Sequence, residues 1–337
     1  MGKRSRTLRF KLLLAGVLGG VVLWSVLWFV AATFVDRQIE RAEHGAYSGG
    51  ALADCTKRNV SGFPFRIEVR CGAGSRVGNG LTTVTLGGLM VVAQVYNPRR
   101  LIAEVGSPAS VSTYGAPPTT AEWSLARAST RLDLRAHALE RFDAELLDVT
   151  LHMPDGSTVE VGKINANVRR NPDAEDDLDI ALRLDDLQPI EGGEPVHIAF
   201  RGRLGDGAAL LTGSPDAMMV RLLAEGLPLF IDVATAETGG LKVSANGDVT
   251  LGADGRLNGT LDVAIAGYDK GVPYVKAVAP DAGETVVTML NNVLSFAPET
   301  TIGDSKARKV TFQIRNNRVL AGFVPLFTLP QINVAQR

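Results

Sequence analysis

The sequence predicts a mainly β protein with a few short helices, of the α+β type, preceded by one transmembrane helix. Three observations support this prediction: an uncharged apolar run near the N-terminus, alternating polar and apolar residues through much of the remaining chain, and few segments with helical periodicity. We expect the strands to form a long, curved antiparallel sheet, or a half-barrel or sandwich.

The first element is a run without Asp, Glu, Lys or Arg, residues 12–35. About 20 apolar residues span the roughly 30 Å core of a bilayer, so the run is long enough. Residues 1–11 carry five Lys and Arg, whereas the charges after the run are mixed in sign. The positive-inside rule therefore makes residues 1–11 a cytoplasmic basic tail and exports the body, residues 36–337. A cleaved signal peptide is the alternative, but its apolar region is typically about 7–15 residues, so we favour an uncleaved anchor.

Two cysteines, Cys55 and Cys71, lie in the exported part. In an oxidising compartment such a pair is typical of a disulfide. Between them, a bend at residues 62–65 and strict alternation at residues 66–70 predict a two-strand loop, which the bridge would stabilise by about 3 kcal/mol. Because the pair lacks the Cys-x-x-Cys spacing and a neighbouring histidine, a structural role is favoured over a redox or catalytic one.

Alternation with a period of two residues predicts antiparallel strands in the body. The clearest hairpin has apolar residues at every second position of residues 241–251 and again of residues 257–265, with a turn at residues 253–255 between them. A second hairpin turns at residues 154–157. Further strands are predicted at residues 178–184, 196–200 and 310–314.

Helical periodicity after the anchor is restricted to two short segments, residues 216–225 and 284–294. So few helices cannot cover the apolar faces of this many strands. The sheet must therefore curl on itself, pack on another sheet, or offer its apolar face to a ligand such as a lipid acyl chain. A filled sandwich and an open groove both fit the pattern. The exported part is long enough for one large domain or two, and a subdivision is expected near residues 205–240.

No motif of enzyme chemistry is present. The four histidines are scattered, and the sequence lacks a nucleophile elbow and a phosphate-binding loop. The acidic run at residues 173–179 lacks the glycine and glutamate that a calcium-binding EF-hand loop requires. The exported body is mildly acidic, which argues against nucleic acid as a partner. We therefore predict no enzymatic activity, no catalytic residues, no cofactor and no metal site.

Motifs at both ends of the chain resemble a known family. The N-terminal motif is Gly62-Phe63-Pro64-Phe65-Arg66, between the two cysteines, and the C-terminal motifs cover residues 254–261, 310–314 and 322–330. This arrangement resembles the proteobacterial family catalogued as domain of unknown function 2125, and its ending is similar in style to that of AsmA-like envelope proteins. The family implies no activity.

AsmA-like relatives imply a single-pass anchor in the bacterial inner membrane, a β-rich periplasmic body with an apolar groove, and a link to lipid traffic or outer-membrane homeostasis. The exported body is too short for a sheet that bridges the periplasm. We therefore expect lipid binding or transfer, or envelope maintenance, with the membrane and a phospholipid or another envelope lipid as partners. A non-catalytic scaffold that docks envelope proteins is the alternative. The residues expected near the groove are Leu290, Leu294, Phe323, Leu326, Phe327 and Leu329.

Overall fold

The structure is a computed structural model, and it describes residues 3–45, 52–78, 82–133, 138–189, 192–212, 222, 224–274 and 283–332. The chain divides into two compact units, Met1–Thr120 and Ala121–Arg337. The subdivision expected near residues 205–240 stays a prediction.

The fold is mainly antiparallel β with few helices and one long N-terminal apolar helix, as predicted. The helices are α1 (Lys3–Gly45) and α2 (Gly283–Phe296), with short 3-10 helices at Gly207–Thr212 and Tyr268–Gly271. The strands up to the boundary are β1 (Leu52–Asp54), β2 (Asn59–Ser61), β3 (Arg66–Cys71), β4 (Ser75–Gly78), β5 (Thr82–Gln94), β6 (Asn97–Thr113) and β7 (Thr119–Glu122). The remaining strands are β8 (Leu125–Asp133), β9 (Ala138–His152), β10 (Thr158–Arg170), β11 (Leu178–Gln188), β12 (Val196–Leu204), β13 (Leu227–Thr238), β14 (Leu241–Leu251), β15 (Leu257–Ala266), β16 (Glu299–Ile302), β17 (Ser305–Arg315), β18 (Arg318–Ala321) and β19 (Val324–Thr328).

Helix α1 contains the predicted anchor. Its stretch Phe10–Arg41 is long and apolar enough to cross a membrane. Most of the large apolar side chains in this stretch are exposed, whereas Trp28 and Ala32 are buried. The helix therefore meets the rest of the first unit along one side only and leaves the other apolar surface uncovered.

The sheet of the first unit is built around β5. Strand β6 pairs with one edge of β5, and β3 and β4 pair with successive parts of its other edge. Strand β2 extends the sheet from β3, and β1 extends it from β4. The predicted disulfide is confirmed: Cys55 and Cys71 are bonded, with their Cα atoms 4.9 Å apart. It joins the end of β3 to the residue after β1.

The second unit is a meander in which strands β8 to β15 each pair with the next strand along the chain. The hairpin predicted from residues 241–265 is confirmed, because Leu251 lies opposite Leu257 and Val243 lies opposite Ile265. Strand β17 then pairs with β15, with β16 and with β18, and β19 completes this edge. No pairing among the described strands joins β8 to β19, so the sheet is open and not a closed barrel.

The helix predicted at residues 284–294 is present as α2. It packs on the sheet through Leu294, which is buried with Ile265, Ala297 and Val310. The helix predicted at residues 216–225 lies outside the described residues except for positions 222, 224 and 225, which are helical.

Candidate functional site

An apolar cavity of 520 Å³ lies in the first unit between the C-terminal part of α1 and one face of the sheet. Alternate residues of a strand point to the same face, so the alternation at residues 66–70 presents apolar side chains to the cavity and charged ones to the opposite face. The sheet wall includes three directly opposed pairs from β3 and β5, which are Ile67 with Ala93, Val69 with Val91, and Cys71 with Leu89.

The helical wall of the cavity is a stripe on α1. Val35, Ile39 and Glu43 are spaced four residues apart, which places them on one side of the helix. Leu101 of β6 adds to the apolar lining. The volume lies within the range of about 300–1,000 Å³ that is usual for small-molecule sites, and the lining is dominated by apolar side chains, as in most such sites.

Glu43 lies at the polar end of this cavity, and both of its carboxylate oxygens have donors. The backbone N–H of Cys55 donates to Oε1 at 3.0 Å, and Arg58 donates to Oε2. Arg58 also donates from Nε to Asp36 Oδ1 at 2.7 Å. Burial lowers the pKa of Arg58, but hydrogen bonds and charges from Glu43 and Asp36 outweigh this effect and raise it above its ordinary value. The charged guanidinium therefore ties α1 to the chain beside the disulfide.

The turn Gly62–Arg66, whose sequence is the N-terminal family motif, directly precedes Ile67, which lines the cavity. Two indoles of α1 bind the backbone of this turn: Trp24 Nε1 donates to the carbonyl oxygen of Pro64 at 2.9 Å, and Trp28 Nε1 donates to that of Arg66 at 2.8 Å. Both acceptors are backbone carbonyl oxygens of the turn. These two hydrogen bonds therefore do not depend on the side chains of residues 64 and 66.

Aromatic contacts reinforce this junction. The ring of Phe63 stacks on Phe29 of α1, with centroids 5.9 Å apart, and meets Trp28 edge-on at 5.5 Å. Gly62 begins the turn with a backbone φ of 107°, which residues with a Cβ rarely adopt. The motif therefore supplies both the tight bend and the ring that packs on the helix.

The residues predicted to line a C-terminal groove are only partly brought together. Leu326, Phe327 and Leu329 line a small apolar recess of 220 Å³. Leu294 packs in the core below α2, and Phe323 is fully exposed in the turn between β18 and β19. The side chain of Leu290 lies outside the described residues. A role in a lipid-binding groove therefore stays a prediction for Leu326, Phe327 and Leu329, which share this recess.

A larger recess of 500 Å³ lies beside α2 in the second unit. Its lining includes Val293, Phe296 and Val310, but also polar side chains from Lys309 and Thr311. The cavity beside α1 is more apolar and is lined by the helix that is suited to cross a membrane. That cavity is therefore the stronger candidate for a lipid site.

The acidic run at residues 173–179 is engaged by arginines. Asp177 pairs with Arg203 and Asp179 with Arg169, each with N and O atoms 2.9 Å apart. In the ranges that the structure describes, no three side chains of His, Cys, Asp or Glu are close enough together to hold a metal ion.

The cavity was not predicted from the sequence. The alternation at Ile67 and Val69 indicated a strand, and Cys71 was assigned a structural role, but nothing local indicated what would face their apolar side. One sequence feature could have indicated the helical wall of the cavity. Ile39 lies one helical turn after Val35, so the apolar side of α1 continues into a segment that is mostly polar or charged after residue 35.

These features define a class of protein: a β-rich body attached to one candidate membrane helix, with an apolar cavity beside that helix. A family model described as "Uncharacterized protein conserved in bacteria (DUF2125)" matches residues 28–330. The chain therefore belongs to this family, as its motifs predicted. The match begins at Trp28, so it includes the bond from Trp28 to the turn and every residue that lines the cavity, whereas Trp24 lies before it. No curated protein and no solved structure matches the chain.

Proposed function

We propose that the protein is a single-pass, non-catalytic protein of the bacterial inner membrane that binds the acyl chain of an envelope lipid in the cavity beside α1. In this proposal residues 1–11 lie in the cytoplasm and the β-rich body lies in the periplasm. The cationic N-terminal tail supports this orientation, and the bonded pair Cys55–Cys71 supports an oxidising compartment for the body.

The observation that carries the proposal is the position of the cavity along α1. If the apolar core of the bilayer begins at Leu12, about 20 residues of helix cross it, and the helix leaves the core near Ala32. Val35 and Ile39 line the cavity directly beyond that point, and Glu43 closes it about 16 Å beyond Ala32. An acyl chain could therefore move from the membrane into the cavity along one helix, with little exposure to water.

The contacts also indicate what kind of lipid would bind. Polar groups at the far end of the cavity already have partners: Glu43 pairs with Arg58, and Arg76 pairs with Asp54 at 3.2 Å. Because these groups do not require a ligand, recognition rests on apolar burial, which contributes about 0.8 kcal/mol for each CH₂ group. The proposal therefore predicts a preference for acyl chains with little selectivity for the headgroup.

The test is native mass spectrometry of the full chain, extracted from membranes in mild detergent. Leu89→Trp fills the sheet wall of the cavity, whereas Val111→Trp places the same ring at an exposed position on β6 and serves as the matched control. Displacing about two CH₂ groups corresponds to roughly a tenfold loss of affinity. We expect one retained lipid on the wild type and on Val111→Trp, and about tenfold less on Leu89→Trp. Equal retention in both variants, or no lipid on the wild type, would overturn the proposal.

The alternative is a scaffold that docks envelope proteins, and exposed aromatic side chains in the second unit favour it. Phe296 at the end of α2 is 92% exposed, and Phe323 is fully exposed. Apolar side chains that remain uncovered in this way often belong to interaction surfaces. Crosslinking from Phe323 in intact cells tests this function. A reproducible protein adduct supports the scaffold, and the absence of any protein adduct at this position contradicts it.

A further inference from the structure

Two turns of the first unit lie side by side at one end of its sheet. The turn Gly62–Arg66 precedes β3, and the turn at Val95 and Tyr96 joins β5 to β6. The backbone N–H of Val95 donates to the carbonyl oxygen of Phe65 at 3.0 Å, and Arg66 lies opposite Gln94 in the ladder. The rings of Phe63, Phe65 and Tyr96, which we call the aromatic edge, are 49%, 63% and 70% exposed.

The contacts with α1 fix the depth of the aromatic edge relative to a membrane. At 1.5 Å per residue, Trp24 and Trp28 lie about 20 and 26 Å beyond Lys11 along the helix axis. Both positions fall in the last third of a core of roughly 30 Å that begins after Lys11. Because these indoles bind Pro64 and Arg66, the turn lies at the same level, inside the outer leaflet of any membrane that α1 spans.

The backbone of the turn is suited to this depth. Carbonyl groups in an apolar environment must have donors, since an unmade hydrogen bond there costs several kcal/mol. The carbonyls of Gly62 and Phe65 accept from the backbone N–H groups of Arg66 and Val95, and those of Pro64 and Arg66 accept from the two indoles. Pro64 itself has no N–H to satisfy. The turn can therefore enter the leaflet without leaving these acceptors unpaired.

Cationic side chains lie directly behind the aromatic edge. Arg99 and Arg100 follow Tyr96 in β6 and are exposed. Neither has a carboxylate partner among the described residues. Aromatic rings at the boundary of the core with arginines at headgroup level are the combination that membrane interfaces favour.

We propose that the aromatic edge, with Arg99 and Arg100, is a second membrane-binding surface, which inserts Phe63 and Phe65 into the outer leaflet and places the two arginines on anionic phospholipid headgroups. This inference requires α1 to span a membrane, but it does not require a lipid in the cavity. It gives the first unit a second point of attachment to the bilayer, at the membrane end of the cavity.

The experiment uses the full chain in nanodiscs made with and without anionic phospholipid. The photoreactive residue p-benzoylphenylalanine is introduced by Phe65→p-benzoylphenylalanine or Tyr96→p-benzoylphenylalanine, and adducts are identified by mass spectrometry after illumination. Tyr114→p-benzoylphenylalanine is the matched control, because Tyr114 is an aromatic residue just after the other end of β6 and is even more exposed than Phe65 and Tyr96. At about 3.3 Å per residue it lies roughly 60 Å from Tyr96 along the strand.

We expect phospholipid adducts at positions 65 and 96 and none at position 114. Anionic lipid should raise the yield at position 96 by up to about fivefold for each arginine, and the double variant Arg99→Ala/Arg100→Ala should abolish that increase. Equal lipid labelling at position 114, protein adducts in place of lipid adducts, or no lipid adduct at positions 65 and 96 would overturn the inference. A lipid-free cavity together with lipid adducts at position 96 would reject the proposed function and leave this inference intact.

Discussion

The indole N–H of Trp28 donates a hydrogen bond to the carbonyl oxygen of Arg66 over 2.8 Å and so joins the middle of α1 to the first residue of β3. Trp28 is only 5% exposed, so water has little access to this bond. No other aromatic side chain of similar size carries an N–H donor at that position of the ring. The junction between the helix and the sheet therefore depends on the identity of this residue as well as on its size.

Replacing this donor should weaken the first unit. Trp28→Phe keeps an aromatic ring but leaves the carbonyl of Arg66 without its partner, which we expect to cost about 1–3 kcal/mol of unfolding free energy. Pulse proteolysis of the full chain in mild detergent measures the change. Phe34→Leu, at an exposed position on the same helix, is the control and should stay within about 0.5 kcal/mol of the wild type. Equal stability of both variants would contradict the role given to the bond.

The turn Gly62–Arg66 should not tolerate a side chain at its first residue. A Cβ at Gly62 would lie 2.8 Å from the carbonyl oxygen of Arg66, and the backbone φ is 107°. We expect Gly62→Ala to cost about 1–3 kcal/mol, measured in the same proteolysis assay. Gly74→Ala separates the backbone strain of a positive φ from the steric contact, because Gly74 also has a positive φ but has open space around it. A smaller loss for Gly74→Ala attributes the difference to the steric contact.

The disulfide should stabilise the first unit by restricting its unfolded state. Cys55 and Cys71 are separated by 16 residues, for which the chain-entropy model gives about 3 kcal/mol. The double variant Cys55→Ser/Cys71→Ser should lose about that amount, and a reducing agent should destabilise the wild type but not the variant. Mass analysis without reduction should find the two cysteines linked in protein from cells. Free thiols there would speak against an oxidising compartment.

Asp262 should make the second unit less stable in acid. The Thr311 hydroxyl donates to Asp262 at 2.6 Å and the Lys309 ammonium lies 2.9 Å away, and together they hold its pKa below the ordinary value. A lowered pKa in the folded state means that the unfolded state binds more protons. The contribution of Asp262 to folding stability is therefore fully present above the pKa of an unfolded aspartate, about 3.9. It is lost as the pH falls through the lower pKa of the folded state.

Asp262→Asn should accordingly cost up to about 1 kcal/mol at neutral pH, because the pair is partly exposed to solvent. The difference from the wild type should shrink as the pH falls below about 4. Denaturant unfolding at a series of pH values measures it, with Asp304→Asn in an exposed turn as the control. A difference that does not change with pH would show that the substitution acts through packing and not through charge.

The local patterns in the sequence were sufficient to predict most individual elements. Alternation identified the hairpin of β14 and β15 because one of its faces is covered, so that every second residue must be apolar. The turn between β17 and β18 was also predictable, since Asn316 and Asn317 both adopt positive φ, which asparagine tolerates. In these cases neighbouring residues contain all the information that decides the structure.

Arrangements that depend on distant residues were not predictable. The cavity exists because Ile39 and Val69 face each other across a gap, and no local pattern specifies the distance between a helix and a strand. For the same reason Leu294 could be assigned to a helix but not to its place in the core. Trp24 and Trp28 lie within the predicted anchor, but their hydrogen-bond acceptors lie about 40 positions away in the chain.

Helix α1 is fastened to the first unit at two heights, by the indole of Trp28 and by the ion pair of Glu43 with Arg58. These heights are about 22 Å apart along the helix axis. A body on a flexible tether would tumble and face lipids in every direction, whereas here the helix and the sheet must turn together. Rotation of α1 about its own axis in a bilayer would therefore move the cavity in a circle around the anchor, at a constant height above the membrane surface.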